Sequence, residues 1–335
     1  PLYGKNMTYG LVDVVGQYFS GRWDKHWSNE LRLYNYKHME VRPEIDTIWI
    51  SMYRGISYVN NMLENLAERD PSEFALYNVY KAEGLGLRAF MHFELLRLFS
   101  ESIIQNPNAT GIPYREKYSY QVTPFDPISE SYNKIIRDFK EAERLLAEHG
   151  EYFDRTDENA GGFVKDRVIH MNLYAVQALL ARVYWEKGDL ETAKNYAMKV
   201  IEAPYFSMEA KTDVEDIMNG VISDKETIWG LYSEEFPNFT RDVLYSSGGS
   251  LSYDPKPDYR DIYEIDQDGF DYRLDKWFQT LSDHGAEGLR CMKVVDRFKV
   301  RLNTRPVTKL SGINMIRLPE LYYIVAEYYL LQSDM

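Results

Sequence analysis

Apolar residues recur at three-and-four spacing from Ile45 through Ile48, Met52, Ile56, Val59 and Leu63 to Leu66, which gathers them on one face of an α-helix. Asp70-Pro71 ends that helix, because proline disfavours helical backbone at the residue before it. A second helix is predicted from about Ser72 to Phe99, with Ala82, Leu85, Ala89, Phe93, Leu96 and Phe99 on one face. An irregular stretch rich in Pro, Asn and Tyr follows, from Ser100 to Phe125. Asp126-Pro127 then reads as an N-cap with proline at the first helical position, launching a helix over about 128–149. Its inward face is Ile128, Tyr132, Ile135, Phe139, Ala142 and Leu146. The polar, glycine-containing run Tyr152–Lys165 is a loop, and two further helices are predicted at about 170–187 and 190–202. Beyond Pro204 the period weakens. Thr227–Tyr232 reads as a short strand or buried turn, and Phe236–Lys276 is dense in turn-forming residues. So long an irregular region, about 204–318, is usually functional or mis-assigned. Helix returns over about 319–332.

The two helices between Asn172 and Glu202 have the offsets of a tetratricopeptide (TPR) pair. Leu180, Ala181 and Tyr184 precede a Gly188-Asp189 turn, and Ala193, Ala197 and Val200 return after it. Small residues let antiparallel helices approach, and the tyrosine fills the groove between them. Val325, Ala326 and Tyr329 repeat the first three offsets, so a second pair is expected to begin there and its returning helix to follow Met335. Tyr322, Tyr323, Tyr328 and Tyr329 on that last helix read as packing residues.

Composition mainly excludes. A net charge of -13 and a pI near 5.1 leave no basic cluster to displace counterions from phosphates, so nucleic acid is not expected as a partner. The single cysteine, Cys291, has no partner for a disulfide or thiolate metal site and reads as a small buried apolar residue. No apolar run approaches the ~18 residues of a membrane span. Tyrosine is abundant, with 28 residues, which suits both inter-helix packing and half-wet recognition surfaces.

Several motifs have stronger structural readings than functional ones. Gly84-Leu85-Gly86-Leu87-Arg88-Ala89 matches a dinucleotide fingerprint but sits inside a predicted helix, so the glycines are expected to serve close helix packing. The acidic residues between Asp254 and Asp275 could suit calcium, but they lack EF-hand spacing and read as a solvated loop. No carboxylate pair is singled out for glycoside hydrolysis, and no H-E-x-x-H occurs. No cofactor, metal site or catalytic residue is therefore expected. The best candidate for chemistry is Gly21–Asn29, where Trp23 and Trp27 stand four apart among donors and acceptors that include Asn29. Flat rings suit the C–H face of a sugar and polar neighbours its hydroxyls. Equally, both tryptophans could anchor the N-terminal segment to the helices.

Lys81–Glu101, KAEGLGLRAFMHFELLRLFSE, resembles the characteristic helix of the SusD/RagB-like outer-membrane lipoproteins. The likeness extends in the same order to Tyr53–Asn65, Tyr132–Leu146, the TPR pair and Ile316–Leu330. Gly84 and Gly86, where alanine-like residues are usual, and Pro319 depart from the pattern, and the lipid-bearing cysteine and the C-terminal portion are missing. Residues are therefore expected to be absent at both ends. The resemblance implies one all-α domain over 1–335, a TPR-like scaffold with long loop excursions. It also implies a cell-surface, lipid-anchored protein that binds an oligosaccharide and passes it to a TonB-dependent, SusC-like transporter. By the family's placement of ligand-contacting aromatics, Tyr245, Tyr253 and Trp277 join Trp23, Trp27 and Asn29 as the expected glycan site. The alternatives are a TPR-type adaptor for a peptide or protein and, from another class, a glycoside hydrolase.

Overall fold

A computed structural model describes residues 2–17, 19–20, 26–74, 76–149, 162–209, 222–223, 225–240, 254–255, 278–283, 286–291 and 310–333. The fold is all-α in class. In chain order come a kinked helical segment Leu2–Val12, α1 (Asp13–Gly16), β1 (Phe19–Ser20), α2 (His26–Arg32), α3 (Arg42–Ala67), α4 (Tyr77–Phe99), α5 (Ile128–Ala147), α6 (Leu173–Glu186) and α7 (Leu190–Ile201). Then follow β2 (Thr227–Tyr232), α8 (Phe236–Thr240), β3 (Asp254–Pro255), β4 (Phe278–Asp283), β5 (Ala286–Cys291), β6 (Gly312–Arg317) and α9 (Leu318–Ser333). Among the described residues the strands pair only in twos: β1 with β3, β2 with β6, and β4 with β5. The chain divides into two compact units. One comprises Pro1–Ile48, Glu209–Asp224 and Leu231–Asn314; the other, Trp49–Met208, Lys225–Gly230 and Met315–Met335.

The second, helical unit follows the sequence periodicity closely, with instructive differences at helix starts. α4 begins at Tyr77 instead of Ser72. The Asp70 carboxylate accepts from the Ser72 N–H at 2.9 Å and its hydroxyl at 2.8 Å, closing Pro71–Glu73 as a separate 3-10 turn, and Phe74 is extended. At α5, Pro127 itself holds the cap position, and Asp126 does not cap the helix. Its carboxylate instead accepts from Lys134 Nζ at 2.9 and 3.0 Å. α6 and α7 are capped as expected of Asn and Asp, by Asn172 on the Ala175 N–H and Asp189 on the Thr192 N–H. Gly188, at φ +83°, makes the left-handed turn between them. Across the turn the Tyr184 and Tyr196 rings stack at 5.8 Å with Lys140 of α5 over both.

α4 is buried on nearly every side, so its polar residues all need partners. A Cβ on Gly84 would lie 2.6 Å from Met62 Cε and 2.8 Å from Leu63 Cδ2 of α3; one on Gly86 would lie 2.7 Å from Met171 Cγ. The glycine fingerprint is therefore a close-packing device inside a helix. Further along, Arg88 Nε donates to Asp138 Oδ2 at 2.7 Å, and Tyr114 Oη donates to the same oxygen at 2.6 Å. His92 stacks on Tyr114 with centroids 3.9 Å apart. Its Nε2 accepts the Arg115 N–H at 3.0 Å, which requires the proton on Nδ1, donated to the Arg88 carbonyl at 2.8 Å.

α9 packs against α6 and α7, and Glu320 clamps Arg182 of α6 through two bonds of 2.6 and 2.7 Å. Leu321 and Ile324 are buried, whereas Tyr322, Tyr323 and Tyr329 are 44%, 74% and 58% exposed. Among the described residues the helix buries one narrow face, and Tyr322, Tyr323 and Tyr329 lie off it, Tyr329 set edge-on to Tyr328 at 5.3 Å. Tyr328 differs, carrying Lys194 of α7 over its ring at 4.6 Å.

In the first unit, Val14, Leu31 and Val41 form a dry cluster with Leu11, Val15, Trp27 and Ile45 packed around it. Tyr9 meets Phe236 and Phe239 of α8. The region about 204–318, expected to be irregular, holds more strand than its turn-rich composition suggested. β4 and β5 pair residue for residue from Phe278↔Cys291 to Asp283↔Ala286. Cys291 takes part through its backbone, while its side chain lies outside the described atoms.

Candidate functional site

The first unit joins segments that are far apart in sequence and that carry the predicted aromatics. β1 and β3 are antiparallel, with Phe19 opposite Pro255 and Ser20 opposite Asp254. β3 also lies against β5, and β5 pairs with β4, which opens at Phe278. The chain shortly before Trp23, the residue just after Tyr253 and the residue just after Trp277 are thereby tied into one run of backbone contacts. Trp23, Tyr245, Tyr253 and Trp277 themselves lie outside the described residues, as does all of the acidic run 254–275 beyond β3.

Trp27 and Asn29 are described, on α2, and both are half-buried. Trp27 packs against the Val14, Leu31 and Val41 cluster, so part of its ring area serves the core of this unit. The loop after α2 carries a feature that periodicity does not reveal. Tyr34 and Tyr36 are 52% and 46% exposed, with ring centroids 6.3 Å apart in an edge-to-face arrangement.

That pair is held in place. Tyr34 sits at φ +60° and Gln17 at φ +53°, left-handed conformations that cost energy for residues with a Cβ. The two are bonded to each other: Gln17 Nε2 donates to Tyr34 Oη at 3.2 Å and to the Arg32 carbonyl at 2.9 Å. Tyr34 Oη donates in turn to the Val15 carbonyl at 3.2 Å. Asn35 Nδ2 braces the loop on Glu30 at 2.7 Å. Burial, with the neighbouring Tyr34 adding to it, raises the Tyr36 phenol, which therefore stays neutral. The result is a preorganised, neutral, aromatic surface with hydroxyl and amide groups at its edge. Such a surface stacks on a ring and exchanges hydrogen bonds with hydroxyls; it offers no nucleophile–base pair. Among the described residues there is also no group of three metal-ligating side chains.

A family model described as "Starch-binding associating with outer membrane" matches residues 13–185, just over half of the chain. The chain belongs to the SusD-like family. Similarity to solved SusD-like structures covers most of its length. A SusD-like carbohydrate-binding protein from Bacteroides vulgatus ATCC 8482 aligns with TM-score 0.67 and 23% identity over 90% of this chain and 62% of its own. A laminarin-binding SusD-like protein aligns with TM-score 0.60 and 18% identity over 83% of this chain and 65% of its own. Surface glycan-binding protein A from Bacteroides uniformis aligns with TM-score 0.58 and 17% identity over 84% and 61%. At these identities the likeness is one of fold, and this SusD-like chain spans less than two thirds of each of the three. No curated protein sequence matches it.

Proposed function

We propose that this chain is the glycan-capturing part of a SusD-like protein at the outer-membrane surface, which hands oligosaccharide to a TonB-dependent, SusC-like transporter. The observation that carries the proposal is the joining, by β1, β3, β5 and β4, of the segments that bear Trp23, Tyr253 and Trp277. The Tyr34–Tyr36 pair adds an ordered ring surface in the same unit. The family's outer-membrane description and the carbohydrate binding named for the three related structures support the same reading. No described helix is long and apolar enough to cross a membrane.

Binding is by contact, without catalysis. Rings give a sugar dispersion and C–H contact, and ordering a flexible oligosaccharide offsets part of that gain. Affinity is expected in the micromolar to millimolar range, about -8 to -4 kcal/mol. The test is a glycan array followed by titration of the best-retained glycan against Trp23→Ala, Trp277→Ala and the double variant Tyr34→Ala, Tyr36→Ala. Each is expected to weaken retention while helical circular dichroism is preserved. An adaptor that bound peptide across the helix faces would retain no glycan at all, and that result would overturn the proposal.

A further inference from the structure

The helical unit carries a groove that this reading does not use. It is an open groove between the end of α3 and the start of α4 with a volume of about 530 Å³, within the roughly 300–1,000 Å³ usual for small-ligand sites. Met62 and Leu66 form an apolar floor, and Phe74 and Tyr80 form an aromatic wall with centroids 5.3 Å apart and planes inclined by 32°. Asn65, Arg69, Asp70 and Glu73 stand around the rim.

Tyr80 and the turn that leads to Phe74 are each anchored by neighbouring groups. Tyr80 is held from behind by Phe163 at 4.1 Å, and Phe163 is braced by the Arg167 guanidinium at 5.6 Å and by the edge-on His170 ring at 4.8 Å. Arg167 is itself buried and ion-paired with the buried Glu83 of α4. In front, Phe74 is 40% exposed, a large apolar surface turned to solvent beside three charges. Asp70 uses Oδ1 for both Ser72 bonds, which closes the turn that leads to Phe74.

We propose that this groove is a second saccharide contact, taking a short neutral stretch of the same glycan class; it rests on the glycan-binding reading above. Two aromatic faces with an apolar floor match the C–H surface of pyranose rings. One guanidinium, one carboxamide and two carboxylates supply both donors and acceptors, as hydroxyls demand. The rim carries one positive and two negative charges, so an anionic ligand is disfavoured, and a hydrophobic helix seated there would strand those charges against apolar surface.

The experiment titrates the glycan best retained on an array against the whole chain and the variants Phe74→Ala and Arg69→Ala, both altered at exposed side chains. Amide hydrogen exchange of residues 62–80 is followed with and without saturating glycan. The expected result is a three- to tenfold loss of affinity or loss of one binding phase in both variants, about the range set by ring stacking, with protection of 62–80 in the wild type only. Binding unchanged in both variants, with no protection of 62–80, overturns the second site and leaves the first-unit site standing. Absence of any glycan binding by the wild type overturns both.

Discussion

At the residue scale the helical unit depends on a small set of buried polar groups whose charge states are dictated by their surroundings. His92 is fully buried, and burial first, then the nearby Arg88 and Arg115 charges, push its imidazole down to about 3 against an ordinary 6.5. Protonation would place a second donor opposite the Arg115 N–H, which already points at Nε2. Because the folded value lies below the unfolded one, the unfolded chain binds more protons between about pH 6.5 and 3. Stability from this residue is therefore complete above the upper value and is lost as pH falls through the interval. By pH 4 the loss amounts to about 2–4 kcal/mol. Urea midpoints at pH 7 and pH 4 should separate less in His92→Gln than in the wild type, and equal separations would assign the acid sensitivity elsewhere. Asp138 is the complementary case. Changing it to Asn leaves Arg88 buried without its counter-charge and is expected to cost about 3–5 kcal/mol, measured by the same denaturation.

At the element scale, the predicted helices were legible wherever one face is apolar and the other wet, as along α5 with Ile128, Tyr132, Ile135 and Phe139. The starts were less so, because they are set by side-chain bonds that have several sequence solutions. Asp126 could have capped α5 but bonds Lys134, and Asp70 holds a separate turn that delays α4 by five residues. The role of the glycines in α4 was legible only as far as their helical context excluded a cofactor; their actual neighbours, Met62, Leu63 and Met171, come from the fold. Gly84→Ala is accordingly expected to destabilise by about 1–3 kcal/mol through overpacking, although alanine is the better helix former. The two caps of the TPR pair should differ as well. Asp189→Ala removes an exposed cap worth about 1 kcal/mol. Asn172→Ala removes a cap and also the bonds from Nδ2 to the Arg167 and Ile228 carbonyls at 3.0 Å, in a site that is 2% exposed. Its cost should exceed that of Asp189→Ala by about 1–3 kcal/mol for the buried groups left unpaired. Thermal melts of the two variants side by side decide this, and equal melting temperatures would mean the buried bonds add nothing.

For the whole molecule, the sequence brought the SusD-like resemblance within reach, because blocks of helix pattern persist in a fixed order even when identity is low. The candidate site was legible only in part. Trp27 could be named from its neighbours, yet nothing in the sequence says how far its ring would be drawn into the Val14, Leu31 and Val41 cluster. Tyr34 and Tyr36 escaped notice because two aromatics two apart in a polar loop have no helical period, and the Gln17 bond that orders them spans seventeen residues. What the ligand is follows better from charge than from either. A net charge of -13 repels an anionic polysaccharide at long range, while the aromatic surfaces in both units act at contact and are neutral. Affinity for a neutral glycan should therefore change by less than about twofold between about 50 and 500 mM NaCl, a range over which the Debye length falls from more than 10 Å to less than 5 Å. A uronate-bearing or sulfated glycan should bind better as salt rises and the repulsion is screened. Isothermal titration at both salt concentrations separates the two, and a steep loss of affinity with salt would show that arginines and lysines, and not aromatic rings, hold the ligand.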